Sequence, residues 1–560
     1  MSYTKILLQV LLFLSIFVLK CRCNSCKEEY EFSVKCNSFE DLFKYPNPEK
    51  QESIRVTIDS EDEAKKREME PFICDEPFFQ KFTSVTNMDL VNVRVLHISS
   101  DCFEGMDAVR AIDLQANALT SIEMESFRTS DEMQLRAIFL NNNHIIKIDF
   151  TGVILPELTQ FEAYTNRLKL VKLKNENLPK ITNMYLGYNQ ITKFQIESNS
   201  MEKLDLSYNR IKSFKGSNLV LPNLNLIYLN DNSIGTMTPD MLENMPNLEF
   251  IYLAHNLLKT VSFPTLKQTN YVDLRYNRFR GIDSIYLKTL GKNYDLLLDS
   301  NKIFGLENPE DERQFENLTS ITCHACFINI IEPFFIAEAF KNLKHLTLPS
   351  NALRTANIFR THGEDLKLTG IDLSFNKIRK IGRKDFMRIP AVMHISLHNN
   401  EISNIAPGAF DTLQKLESLS LQNNLLFQLA LNLFEKTTSI NVLVLSGNNM
   451  PFFSIPGLQE ATGKIVSSNS TLNKLNTLNI QKNPLQCQCV DLIRSWAKMN
   501  GIYLRIDDKE VRNGVKPACI VNDQGCKSNV GKEYIKDYWH LFNDVKLNNI
   551  FESQDEDEDK

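Results

Sequence analysis

One spelling recurs along most of this chain and limits what it can fold into. It is L-x-x-L-x-L-x-x-N-x-L-x-x-L, with other apolar residues allowed at the leucine positions. Clean copies begin at Met201 (MEKLDLSYNRIKSF), Leu368 (LTGIDLSFNKIRKI) and Leu416 (LESLSLQNNLLFQL). The template sets an asparagine at Asn117, Asn143, Asn166, Asn189, Asn209, Asn232, Asn256, Asn277 and Asn301. Cys326 takes the next turn, followed by Asn351, Asn376, Asn400, Asn424, Asn448 and Asn483, sixteen registers in all. A copy that lacks asparagine at the template position, Val85–Ile98, precedes them. Most steps are 20 to 26 residues, and Phe386, Phe410 and Phe434 keep the 24-residue period of their region.

The spelling has a physical reading. In x-L-x-L the chain alternates, so a short strand points both leucines to one side. The later apolar positions turn the chain back into the same interior. An asparagine amide both donates and accepts, so it can satisfy backbone groups of a turn that no strand reaches. A single repeat buries too little to fold alone, so stacked neighbours must supply the core. Phenylalanine at the repeat period is expected to plug the convex side.

A match repeated this often resembles the leucine-rich-repeat family. The resemblance implies an α/β solenoid: a horseshoe with a parallel concave sheet of about 16 repeats and cysteine caps at both ends. Two departures stand out. The step from Asn448 to Asn483 is 35 residues, read as a protruding loop or one degenerate repeat. The step to Asn209 is 20, which leaves little room for a convex helix.

A solenoid end exposes an apolar cross-section and needs a lid. After the last repeat come Cys487 and Cys489, an amphipathic stretch with Leu492, Ile493 and Trp496, then Cys519 and Cys526. This resembles the C-terminal cysteine cap of extracellular leucine-rich-repeat proteins, and the resemblance implies the pairs Cys487–Cys519 and Cys489–Cys526. A zinc site is the rival reading, disfavoured by secretion and by the absence of a second C-x-x-C. At the front, Cys26, Cys36, Cys74 and Cys102 allow three connectivities, of which proximity favours Cys26–Cys36 and Cys74–Cys102. Between them, the charged run Glu61–Glu70 reads as a solvated loop or helix face. Cys323 and Cys326 both fall on core-facing positions. Buried structural thiols are the first expectation there, a disulfide the second and a redox pair the last.

Lys5 and the apolar stretch 6–19 spell a secretion signal, with cleavage expected near Cys23. Loss of Cys21 and Cys23 from the twelve cysteines leaves an even ten, as an oxidising compartment favours. No later apolar run is long enough for a transmembrane helix, so no membrane anchor is expected. The expected division is 1–23 signal peptide, 24–84 N-terminal cap region, 85–485 leucine-rich repeats, 486–526 C-terminal cap, and 527–560 an aromatic then acidic tail.

The net charge of −6, and the lack of basic residues interleaved with stacking aromatics, argue against nucleic acid as partner. No nucleophile elbow, zinc-protease motif or phosphate loop is present, so no enzyme, cofactor or metal is expected. The template instead points to the concave face. Its candidate ligand-binding residues are Tyr164, Tyr185, Tyr188, Asp205, Tyr208, Tyr228, Tyr252, Asp273, Arg275 and Tyr276, with Phe139, Glu162 and His255 beside them. Later repeats carry smaller polar residues there, including Thr322, Thr347, Asp372, Ser396, Ser420 and Asn479. Tyrosine offers rigid area with a polar tip, which suits protein recognition, although such residues also serve as ordinary repeat filler. Asn317 and Asn469 fit the glycosylation rule.

Secreted chains of this build resemble Toll-receptor ectodomains, Slit-type guidance proteins and the leucine-rich-repeat immune proteins of mosquitoes. That implies a secreted, extracellular protein that binds a protein ligand or co-receptor, or a microbial surface, in innate immunity. The alternative is a matrix or cell-adhesion component.

Overall fold

A computed structural model describes residues 26–30, 33–36, 38–46, 48–56, 71–129, 133–287, 290–291, 293–307, 315–429, 431–454, 458–459, 464–465, 472–506, 519 and 526–527. Four sequence expectations lie outside these residues: the signal peptide, the charged run Glu61–Glu70, Asn469 and the tail from 528 onward. The chain divides into two compact units, one of residues 1–258 and 262–269, the other of 259–261 and 270–560.

In the first unit each repeat contributes one three-residue strand, from Asn87–Asp89 through Ala111–Asp113 and onward to Phe250–Tyr252. Consecutive strands pair parallel and in register. The middle residue of each is buried and its flanks are not, as alternation requires. Two further strands, Ser33–Cys36 and Ser53–Val56, extend this sheet ahead of the first template match. Lys27–Tyr30 pairs antiparallel with Ser33–Cys36.

The second unit repeats the plan from Tyr271–Asp273 to Thr477–Asn479, again parallel and in register. Tyr503–Arg505 from the cap adds a last parallel strand.

The described return segments are short strands, 3-10 turns and the five-residue helix Phe335–Ala339 rather than long helices. In the first unit Lys147–Asp149, Leu170–Leu173, Lys193–Glu197 and Leu219–Val220 form their own parallel sheet. The 20-residue step to Asn209 is therefore bridged by a strand.

The asparagine ladder is present as expected. Asn209 is typical: its amide donates to Leu186 O at 3.0 Å in the preceding repeat and to Leu206 O at 3.1 Å in its own. Its oxygen accepts from the Ile191 N–H at 2.8 Å. Asn376, Asn400 and Asn424 make the same bonds in the second unit. All the ladder asparagines are buried. Phe386, Phe410 and Phe434 stack behind them with centroids 6.0 and 5.8 Å apart. A matching stack of Phe79, Phe103 and Phe127 lies in the first unit.

Val442–Val444 pairs directly with Thr477–Asn479, so the 35-residue step holds an insertion and no extra sheet strand. Within it, Leu458–Gln459 and Lys464–Ile465 pair antiparallel.

All four expected cap disulfides form: Cys26–Cys36, Cys74–Cys102, Cys487–Cys519 and Cys489–Cys526. The C-terminal cap is built on helix Cys487–Met499, which buries Val490, Ile493, Trp496 and Ala497. Gln486, fully buried, ties the cap ends together: its amide donates to Lys527 O at 2.8 Å and its oxygen accepts from Lys527 N–H at 3.2 Å.

Cys323 and Cys326 overturn the first expectation of free thiols, because they are joined. The physical reason is the turn between them. Ala325 takes φ 53°, and the chain folds back until the two Cα atoms are 5.5 Å apart, within bridging range.

Candidate functional site

The register fixes which side chains share the sheet face of the first unit. One file runs Asp89, Asp113, Phe139, Glu162, Tyr185, Asp205, Tyr228 and Tyr252, each the strand partner of the next. Acids and rings are thus interleaved along a single line. Tyr228 and Tyr252 stack with centroids 4.6 Å apart.

A second file holds the residue just before each ladder asparagine. Here Tyr188, Tyr208, Asp231 and His255 all adopt positive φ, 52° to 55°. The left-handed turn is imposed by the ladder, and a tyrosine there bears strain that neighbouring repeats hold in place. The turn also aims both rings outward, and they stay half exposed. Hydrogen bonding to Tyr188 and the charge of Asp231 push the Tyr208 phenol up to about 12. His255 Nδ1 lies 4.0 Å from Asp231 Oδ1.

The acids have a local role as well. Asp205 Oδ1 accepts from Ser207 N–H at 2.8 Å, and Asp113 Oδ1 from Gln115 N–H at 3.0 Å. Each carboxylate caps its own turn, a habit of aspartate two residues before an open N–H. Burial nevertheless raises both pKa values, and Asp89 and Glu162 add to the rise at Asp113. Asp89 is paired with Arg55 at 2.6 Å. Asp113, Glu162 and Asp205 have no Lys or Arg partner among the described residues. Tyr185 and Tyr228 are also raised, chiefly by burial, with Asp205 contributing to each.

Asn141 was not legible as a site residue, yet it organises one end of the face. Fully buried, it donates to Glu162 Oε2 at 2.7 Å and Gln115 Oε1 at 3.2 Å, and accepts from Tyr164 N–H at 3.0 Å. The spelling hid it because it stands two residues before the ladder asparagine, where any polar residue is allowed.

Asp273, Arg275 and Tyr276 belong to the second unit and form a group of their own. Arg275 grips Asp273 with two bonds, 2.9 and 2.7 Å, and Asp273 is 2% exposed. That carboxylate holds the guanidinium above its ordinary range. The pair is internally satisfied, and Tyr276 (φ 54°) projects beside it, half exposed. The later file Thr347, Asp372, Ser396, Ser420 carries small polar groups, as the template implied.

At the edge of the first unit's sheet, an open cleft of 740 Å³ is lined by residues including Lys180, Thr182, Ser200, Glu202, Asn225 and Glu249. Among the described residues no group of three or more His, Cys, Asp or Glu is placed to hold a metal. Asn317 stands directly before strand Leu318–Thr322, half-buried, with its amide 3.3 Å from Leu290 O.

Comparison with known proteins agrees with this geometry. The leucine rich repeat family model matches residues 83–145, 199–258 and 366–426. Mimecan of Gallus gallus is 30% identical over 122 residues, covering 21% of this chain and 40% of mimecan. Keratocan of Coturnix japonica is 28% identical over 157 residues, covering 26% and 41%. The chain thus spans about two fifths of those relatives' length. Lumican of Mus musculus is 24% identical over 280 residues, covering 48% of this chain and 74% of lumican. Among solved structures, a leucine-rich-repeat protein of Leptospira interrogans is 17% identical, covering 84% of this chain and 94% of its own, with a TM-score of 0.38. An internalin of Listeria monocytogenes is 18% identical, covering 58% and 83%, with a TM-score of 0.39. The matched segments and the asparagine ladder show the leucine-rich-repeat fold, and disulfides close it near both ends of the described residues.

Proposed function

We propose that this is a secreted, non-enzymatic binding protein of the extracellular matrix or cell-contact zone. Its working surface in this reading is the sheet face of the first unit. The observation that carries the proposal is the interleaving of Tyr185, Tyr228 and Tyr252 with Glu162 and Asp205, acids that no basic residue neutralises among the described residues. Tyrosines supply rigid contact area and the acids select a partner of positive potential. Tyr164, Tyr188 and Tyr208 flank that line, and Asp273, Arg275 and Tyr276 form a second contact group.

Similarity to mimecan, keratocan and lumican moves the balance toward a matrix role. Innate-immune recognition, the first reading of the sequence, has no observation of this kind in its favour. Secretion fits the disulfides, and no helix among the described residues is long and apolar enough to cross a membrane. In the same reading 1–23 is the signal, 24–84 and 486–526 are the caps, 85–485 the repeats, 527–560 a tail, and Asn317 and Asn469 carry glycans.

The test compares the secreted protein with a variant carrying Ala at Tyr185, Tyr208, Tyr228 and Tyr252. Binding to a cell-free matrix preparation and to microbial cells would be measured side by side, with folding checked by circular dichroism. A loss of at least about tenfold on matrix, with the fold intact, is expected. Unchanged matrix binding would remove the face from consideration, and binding to microbial cells alone would return the immune reading.

A further inference from the structure

One return loop of the second unit departs from the chain's charge balance. Residues 377–384 read K-I-R-K-I-G-R-K, five cations and no anion in eight residues, in a chain of net charge −6. The fold turns all five outward. Asn376, Ile378, Ile381, Asp385 and Phe386 are buried, while Lys377, Arg379, Lys380, Arg383 and Lys384 are exposed. The backbone beneath is fixed, because Lys380–Ile381 pairs with Asn404–Ile405.

Nearby anions do little to neutralise the loop. Asp385, which closes it, is turned inward: it is 8% exposed and its Oδ2 accepts from the Gly382 N–H at 2.8 Å. Glu401 pairs with Arg379 at 3.1 Å. Asp365 pairs with Arg388 and Asp411 with Lys436. Lys377, Lys380, Arg383 and Lys384 make no ion pair among the described residues. Arg354 extends the patch, standing three residues after Asn351 as Arg379 does after Asn376.

We propose that this loop is a binding site for a sulfated polysaccharide. Like charges held this close repel one another, and a linear polyanion relieves that repulsion while releasing its counterions. Guanidinium groups match the planar spacing of sulfate oxygens, as they do phosphate. The loop itself contains no aromatic residue, whereas surfaces that hold nucleic-acid strands add rings for base stacking. A polymer with its charge on the outside and no bases fits better. The site shares no residue with the tyrosine face, and the proposal does not rest on that face.

The experiment uses the full secreted chain on immobilised heparin with a rising salt gradient. Wild type is expected to be retained at physiological salt. A variant with Lys377→Gln, Lys380→Gln, Arg383→Gln and Lys384→Gln should elute at roughly half the salt concentration of wild type. The exposed positions should leave circular dichroism unchanged, and the Ala variant of the tyrosine face should elute with wild type. Heparin in solution should compete, and desulfated heparin and polyglutamate should not. Wild type in the flow-through, co-elution of the Gln variant with wild type, or equal competition by polyglutamate would each overturn the proposal. The last result would assign the loop to an acidic peptide instead.

Discussion

Tyr188 and Tyr208 stack ring on ring, with centroids 4.0 Å apart and planes 8° from parallel, although both residues hold the left-handed backbone conformation. The strain and the stacking come from one cause. The ladder asparagine that follows each tyrosine sets the turn, and the repeat register then sets the rings side by side.

Tyr208→Gly is therefore expected to change stability little, since relief of the positive φ offsets the lost stacking. Tyr208→Val should destabilise by about 1–2 kcal/mol, because a β-branched residue resists that region. Chemical denaturation of both variants checks this, and the order Val below Gly is the deciding result.

Asp205→Asn keeps the acceptor for Ser207 N–H while removing a half-buried charge. Burial raises the Asp205 pKa above the ordinary 3.8, so the fold favours its protonated form. That contribution is present below 3.8 and is lost as pH rises through the raised value. The variant should melt at or above wild type at neutral pH, and the gap should close in acid. A melting temperature that falls at neutral pH would show that the charge itself supports the fold.

Asp149 behaves in the opposite sense. Lys147 at 2.8 Å and the Thr151 hydroxyl hold its carboxyl down to about 2. Its stabilisation is present above 3.8 and is lost as pH falls toward that lower value. Lys147→Met should lower stability slightly at neutral pH, and its difference from wild type should vanish as pH falls toward about 2, as denaturant unfolding followed at both pH values would report.

Asn424→Ala removes bonds to Leu397 O at 2.9 Å, Leu421 O at 3.0 Å and Ile402 N–H at 3.0 Å, all buried. Each stranded group costs about 1–3 kcal/mol where water cannot reach it, so the loss should be about 3 kcal/mol or more. Hydrogen exchange should quicken first at the Ile402 amide, whose N–H loses its acceptor.

Phe410 is fully buried between Phe386 and Phe434. Phe410→Ala should cost about 3–5 kcal/mol, more than loss of an exposed ring such as Phe375, and calorimetry of the two variants separates them.

The repeat is legible in the residues alone, because its signal is periodic and each position has one physical job. Leucines at alternate places have to face one interior, and asparagine at the turn has to satisfy backbone groups that no strand can reach. The ladder positions and the spine of Phe386, Phe410 and Phe434 followed from that spelling, the C-terminal disulfides from the family resemblance, and the N-terminal ones from proximity along the chain. Packing settled what periodicity does not encode. It joined Cys323 to Cys326 through a left-handed Ala325, since a backbone angle is not written in the template. It set Asn141 beneath Glu162, closed Arg275 onto Asp273, and turned Asp385 inward from five exposed cations. Each depends on where a side chain points once neighbours are stacked, and that direction exists only in the packed array.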